Sequence, residues 1–314
     1  MTVEYDCIVV GGGAAGLSAA LVLGRARRRT LLVDAGQQSN LPAHGIGGLL
    51  GFDGRSPAEL YAIGRQELTQ YPSVESVVDE VVDGTDRGGS FRLELAGGSH
   101  RTTRRVLLAT GVEYRPPYLP GLRELWGRSV FHCPFCHGWE ARDQPLGVLA
   151  NGEKALHATL LIRNWTEDLV LLTDGPADLD AEASALLDKA GVRVDTRRVR
   201  RLATDSGRLS AVVFTDGSRL ERSALMVATT LHQRSNLADQ LGAVSHEHGP
   251  VMTDPVDVDG LGRTTVPGLF AAGDLCTQAP HVATAIATGS AAATAVVQSL
   301  LTEDTGLPFP PRTA

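Results

Sequence analysis

Residues 131–140, FHCPFCHGWE, place Cys133 and Cys136 two residues apart, with His132 before the first and His137 directly after the second. This spacing closes a four-residue loop that can form a disulfide without trapping much chain. A cysteine in a C-x-x-C motif can also have a depressed pKa, so the two sulfurs can cycle between dithiol and disulfide. A zinc site would want a second pair of ligands at similar spacing. His132 and His137 sit beside the cysteines rather than at a typical downstream interval, so metal is the weaker reading. The other two cysteines, Cys7 and Cys276, lie far along the chain, and four cysteines in 314 residues make no disulfide framework. An imidazole, with an ordinary pKa near 6.5, can take a proton from an incoming thiol near neutral pH better than an ordinary carboxylate can. His137 is therefore assigned as the general acid/base. His132 is either a second participant or a pocket-lining residue. Phe135 and Trp139 offer an apolar surface to a small ring-shaped substrate, although aromatic residues beside a redox pair more often serve packing.

A sulfur pair needs an electron partner and a scaffold, and the N-terminus supplies a candidate for both. YDCIVV (residues 5–10) is a short apolar run that leads into GGGAAG, and LSAALVLGRA continues with apolar positions at helical spacing. Strand, glycine turn and helix follow in that order. Gly11, Gly13 and Gly16 fit G-x-G-x-x-G, in which the first glycine makes the turn, the second admits a pyrophosphate, and the third lets helix and strand approach. The helix start, with Ala14 and Ala15, presents N–H groups and the positive end of its dipole to phosphates. A second strand, RTLLVD, ends at Asp34, about 20 residues beyond the glycines, where a carboxylate can accept hydrogen bonds from an adenosine ribose. An aspartate there disfavours a 2′-phosphorylated ribose, which leaves FAD or NAD.

Composition limits the alternatives. With 43% hydrophobic and 21% charged residues the chain is expected to fold as two globular domains. A net charge of −7 gives no basic surface for nucleic acid or anionic membranes. The glycine-interrupted apolar start follows Glu4 and Asp6 and does not read as a signal peptide, and no uninterrupted apolar run reaches about 18 residues. The expectation is a soluble cytoplasmic protein that binds neither nucleic acid nor membrane.

Two further stretches, RRVLLATG (104–111), closing on Ala109, Thr110 and Gly111, and VPGLFAAGD (266–274), closing on Gly273 and Asp274, resemble motifs of the two-dinucleotide-domain flavoproteins. Over its whole length the chain resembles the low-molecular-weight thioredoxin reductases. The resemblance implies an α/β fold in which a Rossmann-like FAD domain, residues 1–115 and 240–314, carries an inserted NAD(P)-like domain, 116–239. It implies FAD as cofactor, Asp274 on the ribityl chain, and a helix after Asp274 whose start, at Val282, points N–H groups at the isoalloxazine. It also implies a homodimer. Asn40 and His44, in the glycine-rich loop 36–56, are candidate cofactor or substrate contacts, or plain loop residues.

The inserted segment repeats strand, turn and helix over residues 145–164, but with Ala150, Gly152 and Ala155 where glycines are expected. The next strand ends at Thr173, Asp174 and Gly175. Thioredoxin reductases carry a His-Arg-Arg run and a later arginine there to hold the NADPH 2′-phosphate. This turn has no arginine, and Asp174 would repel a phosphate dianion. NADPH binding is expected to be lost, with NADH less firmly excluded. C-x-x-C-H-G, with an FAD fold and no NADPH arginines, resembles the FAD-dependent dithiol oxidases of natural-product pathways, of gliotoxin and holomycin type, the latter nearer in length and composition. That resemblance implies a small-molecule dithiol as substrate, Cys133 as the exchanging sulfur and Cys136 as the thiolate nearest the flavin. Molecular oxygen would be the final acceptor, giving hydrogen peroxide. The alternatives are a disulfide reductase fed by a nicotinamide or another donor, and a protein that keeps FAD without turnover.

Overall fold

A computed structural model of the chain describes residues 3–246, 249 and 251–312. The chain divides into two compact units. The first comprises Met1–Leu41, Pro57–Tyr114 and Thr230–Ala314, and the second Pro42–Ser56 and Arg115–Thr229. The return to the first unit thus comes at Thr230, ten residues before the expected boundary at 240. The reason is local: the strand Thr230–Gln233 pairs with Val112–Arg115, which ties both ends of the insertion together. Residues 42–56, expected in the cofactor domain, group with the insertion instead.

In the first unit the strands Tyr5–Val10, Thr30–Val33, Val74–Val77, His100–Leu108 and Leu269–Ala271 are mutually parallel. Val10 pairs with Val33 and with Leu108, which in turn pairs with Ala271. The carboxyl ends of four strands are therefore level at one sheet edge. Tyr5–Val10, Thr30–Val33, Leu269–Ala271 and the carboxyl-terminal half of His100–Leu108 are mostly apolar and buried because both faces are covered, whereas the edge strand Val74–Val77 is half-exposed. Cys7 and Val9 face helices Ala14–Arg25 and Val282–Thr305, whereas Tyr5, Ile8 and Val10 face the opposite cluster with Phe91, Leu93 and Leu241. A hairpin, Val81–Asp86 with Phe91–Leu95, extends the sheet antiparallel.

Helix Val282–Thr305 is long and apolar enough to cross a membrane. Its small residues serve packing here, since Ala285, Ala292, Ala293, Ala295 and Val296 join the buried cluster beneath Ala14–Arg25. A side chain at Gly289 would run into the backbone of Ala15.

In the second unit the strands Arg193–Asp195, Leu169–Leu172, Leu146–Leu149, Ala224–Val227 and Val130–Phe131 form a parallel sheet in that spatial order. An antiparallel sheet, Val199–Asp205, Arg208–Phe214 and Arg219–Glu221, shares its core through Leu202, Val212 and Phe214. Val130–Phe131 is one of the two edge strands, and the cysteine pair follows from its carboxyl end.

Candidate functional site

The level strand ends of the first unit bring Gly11, Asp34, Ala109–Gly111 and Gly273–Asp274, residues more than 250 positions apart, to one edge of the sheet, the usual ligand edge of a parallel sheet. Gly11 has φ +107°, and a Cβ on it would overlap the Ala109 carbonyl. Gly16 sits so close to the Gly11 carbonyl that no side chain fits. Helix Ala14–Arg25 starts at Gly13 with no side-chain cap, and its first intrahelical bond is Leu17 N–H to Gly13 C=O at 2.9 Å. The N–H groups of Ala14, Ala15 and Gly16 are thus left to a ligand, with no acidic residue in the first turn to oppose an anion. Asp34 accepts hydrogen bonds at Oδ1 from Gly36 N–H and Gln38 Nε2, both at 2.9 Å, while among the described residues Oδ2 has only Arg65, at 3.7 Å. Gln38, which the sequence reading did not single out, also donates to the Gly12 carbonyl.

Asn40 accepts from the Tyr61 hydroxyl at 2.7 Å, so it is anchored rather than a free loop residue. Asp274 follows Gly273 (φ +84°) in a single helical turn, and no group among the described residues hydrogen-bonds its carboxyl. Burial alone pushes that carboxyl up to about 6. Helix Val282–Thr305 likewise begins without a side-chain cap, at His281, leaving the Val282 N–H unpaired within the helix.

In the second unit Cys133 and Cys136 form a disulfide, with Cα atoms 5.3 Å apart. Pro134 opens the short helix Pro134–His137, and Cys136 N–H reaches back to the Cys133 carbonyl at 3.3 Å. Gly47 lies against this turn: a Cβ on it would stand 3.0 Å from the Cys136 carbonyl oxygen and 3.2 Å from that of Phe135. His137 stacks on Phe131, centroids 5.3 Å apart and planes within 10°, and its Nε2 is 3.2 Å from the Gly127 carbonyl. Its Nδ1 is buried and has no hydrogen-bond partner among the described residues. Burial lowers the His137 pKa, opposed by the Gly127 hydrogen bond and the Glu140 charge, with His44 lowering it further. The expected near-neutral titration is thus corrected downward, with burial favouring the neutral ring.

His132 stacks on Trp126 at 5.8 Å and is lowered to about 4 by burial, with a contribution from His137. Phe135 is 60% exposed and edge-on to Trp165, and Trp139 is 65% exposed beneath the Arg142 guanidinium, 3.9 Å from the ring centre. Both aromatic rings are largely exposed on the segment that carries the disulfide, with one face of Trp139 covered by Arg142.

The degenerate glycine turn of the second unit is filled by its own side chains. Asn151 Oδ1 accepts from the N–H of Gly152 (3.0 Å) and of Asp178 (2.8 Å), and Asn151 Nδ2 donates to the Pro176 carbonyl. The Asp178 carboxylate lies 3.3 Å from where a Gly152 Cβ would stand. A pyrophosphate placed there would meet a satisfied N–H and a negative charge, so these residues do not fit a nicotinamide dinucleotide as the first unit fits FAD. One feature runs the other way. The turn lacks an arginine of its own, but the chain brings the exposed Arg198 guanidinium against Gly175 from the next loop. Asp174, read as a repelling charge, is turned onto the Val199 N–H at 2.7 Å.

The model of the pyridine nucleotide-disulphide oxidoreductases matches residues 5–289. The chain belongs to this family. Thioredoxin reductase tcpT of Claviceps purpurea is 32% identical over 312 residues, covering 96% of each chain. Among solved structures, an oxidoreductase from Agrobacterium tumefaciens is 39% identical with a TM-score of 0.89, covering 95% of this chain and 99% of its own. HlmI is 38% identical with a TM-score of 0.90, covering 96% and 94%. This member of the family is a Rossmann-like flavoprotein and a disulfide oxidoreductase whose cofactor is FAD. The residues of the first unit fit that cofactor: the Gly13–Gly16 turn would take the pyrophosphate, Asp34 Oδ2 the adenosine ribose, and the Asp274 carboxyl, which has no partner among the described residues, the hydroxyls of the flavin side chain.

Proposed function

We propose that the protein is a dithiol oxidase that converts a small-molecule dithiol, of the size of a dithiolopyrrolone, to its intramolecular disulfide. The observation that carries the reading is the buried Nδ1 of His137, the residue directly after Cys136 of the disulfide, which has no hydrogen-bond partner among the described residues. A reductase that delivers electrons outward has less need of a neutral base poised for an incoming thiol. His137 takes the proton from the first substrate thiol, and the resulting thiolate attacks Cys133 Sγ. The Cys133–Cys136 bond breaks, a substrate–Cys133 bond forms, and Cys136 leaves as a thiolate. The second substrate thiol, giving up its proton, attacks the substrate sulfur of that mixed disulfide, releasing cyclised disulfide and leaving both cysteines reduced. Bound FAD supplies the acceptor for the electron pair that restores the cysteine disulfide, and molecular oxygen takes the pair onward as hydrogen peroxide. Phe135 and Trp139 give the substrate an apolar platform.

The reductase reading is kept alive by Arg198 at Gly175, which could hold a phosphate if the Asn151 turn opened. The test is anaerobic mixing of the yellow protein with dithiothreitol, NADPH and NADH in turn, following flavin absorbance. Bleaching by the dithiol alone, with colour and stoichiometric peroxide returning in air, is expected. Rapid bleaching by either nicotinamide would reinstate the reductase.

A further inference from the structure

The two histidines that bracket the cysteine pair are seated by two adjacent residues, Trp126 under His132 and Gly127 against His137. A backbone carbonyl can only accept a hydrogen bond, so the Gly127 oxygen 3.2 Å from Nε2 requires a proton on that nitrogen. The lone pair of neutral His137 is then on Nδ1, the buried atom that has no partner. We propose that Gly127 is a positioning residue whose carbonyl locks His137 in the Nε2–H tautomer and so makes Nδ1 the atom that accepts the thiol proton. The inference rests on the proton-accepting role given to His137 above.

Three features support the lock. The turn that aims the carbonyl is held at both ends, Gly127 N–H bonding the Val130 carbonyl at 2.9 Å and Arg128 N–H the Leu125 carbonyl at 3.1 Å. Gly127 has φ +74°, and a Cβ on it would stand 3.1 Å from the Ala43 nitrogen and 3.2 Å from Pro42 carbons. A larger residue must therefore rotate the carbonyl or displace that segment. The stack on Phe131 fixes the ring plane, so the ring cannot follow a displaced carbonyl without losing its packing.

The chemistry is consistent with the lowered pKa. Protonating Nδ1 with no acceptor present would bury an unsatisfied N–H, which is unfavourable. When a thiol arrives, its proton passes to Nδ1. The products are an imidazolium, with both ring nitrogens protonated, and a thiolate that gives the new Nδ1–H its acceptor. Basicity is thereby coupled to occupancy.

The experiment is nitrogen NMR of the FAD-loaded, oxidised protein labelled with 15N-histidine near neutral pH, with His137→Gln identifying the resonances. Wild type should show a bare Nδ1 and a protonated Nε2. In Gly127→Ala the tautomers should mix, kcat/KM for dithiothreitol should fall about tenfold, the scale of one lost hydrogen bond, and the acid limb of the pH profile should move with flavin content unchanged. A bare Nε2 in wild type overturns the proposal, and that measurement stands even if Gly127→Ala fails to fold. So does a Gly127→Ala protein that loses activity with the wild-type tautomer intact, or keeps activity with the tautomer lost. If the tautomer responds as expected while His137→Gln turns over dithiol normally, the base role fails and the tautomer assignment survives.

Discussion

At Asp274, the carboxylate proposed to hold the flavin side chain, ligand binding and fold stability pull in opposite directions, and the size of the conflict follows from its burial. Its carboxyl has no protein partner among the described residues, and burial raises it from 3.8 to about 6. Because the folded value lies above the unfolded one, the folded apoprotein binds more protons between those two pH values. Its stability is intact below about pH 3.8, falls as pH rises to about 6, and is level above. Two pKa units at 1.36 kcal/mol each give a cost of about 3 kcal/mol at neutral pH. Asp274→Asn keeps the shape and removes the charge. In urea unfolding of the FAD-free proteins, the variant should gain about 3 kcal/mol on wild type at pH 7.5 and almost nothing at pH 4. The FAD affinity of the same variant, read by flavin fluorescence, should fall on the order of tenfold or more, since hydrogen bonds to an ionised acceptor contribute roughly 1.5–3 kcal/mol. If the stability difference is the same at both pH values, or if Asp274→Asn destabilises the apoprotein at neutral pH, the carboxyl is not an unpaired buried charge and the assignment to the flavin side chain loses its basis.

Other perturbations test other parts of the molecule. His137→Gln should reduce dithiol turnover roughly 10²- to 10⁴-fold, the range for losing a general base, with flavin content unchanged; a smaller loss in stopped-flow reduction would count against the base. Gly16→Ala should purify colourless or nearly so, because its Cβ would meet the Gly11 carbonyl, and a normal flavin-to-protein absorbance ratio would contradict the close approach. His132, lowered from 6.5 to about 4 chiefly by burial, makes stability fall as pH drops from about 6.5 to 4, by about 3 kcal/mol. His132→Phe should flatten that part of the urea-midpoint profile, and an unchanged slope would show that the ring is not buried neutral. Asn151→Gly with Asp178→Ala, which clears the filled turn, should raise NADH or NADPH binding in equilibrium dialysis if those side chains are what obstruct it.

What could be read in advance followed the length of the signal. The first strand, glycine turn and helix were legible because turn geometry, close packing and phosphate binding each demand glycine at a particular position, and the structure meets those demands at Gly11 and Gly16. The gathering of Asp34, Thr110 and Asp274 was legible only through resemblance, since parallel register, a long-range property, brings them to one edge. Gln38 and Tyr61, which hold Asp34 and Asn40, carry no motif, and nothing local marked them. The domain boundary was misplaced because Thr230–Gln233 is a four-residue strand whose partner lies more than 110 residues earlier.

The second unit shows why a missing motif is weaker evidence than a filled site. The absence of arginine from the Thr173–Gly175 turn suggested that a phosphate could not be held, yet the loop after Arg193–Asp195 returns Arg198 to that turn, as parallel sheets routinely do with residues from neighbouring strand ends. What argues against a dinucleotide is the side chain of Asn151, which occupies the Gly152 N–H group a pyrophosphate would need, and Asp178, whose charge stands beside it. The same logic, applied to the redox pair, gives the opposite result. His137 Nδ1 is a buried acceptor that the fold could have satisfied with a neighbouring N–H and did not. An unsatisfied group of that kind costs about 1–3 kcal/mol, and it persists where a ligand completes it. A filled turn in one part of this unit and an incomplete base in another are what the proposal that its chemistry lies at the cysteines rests on.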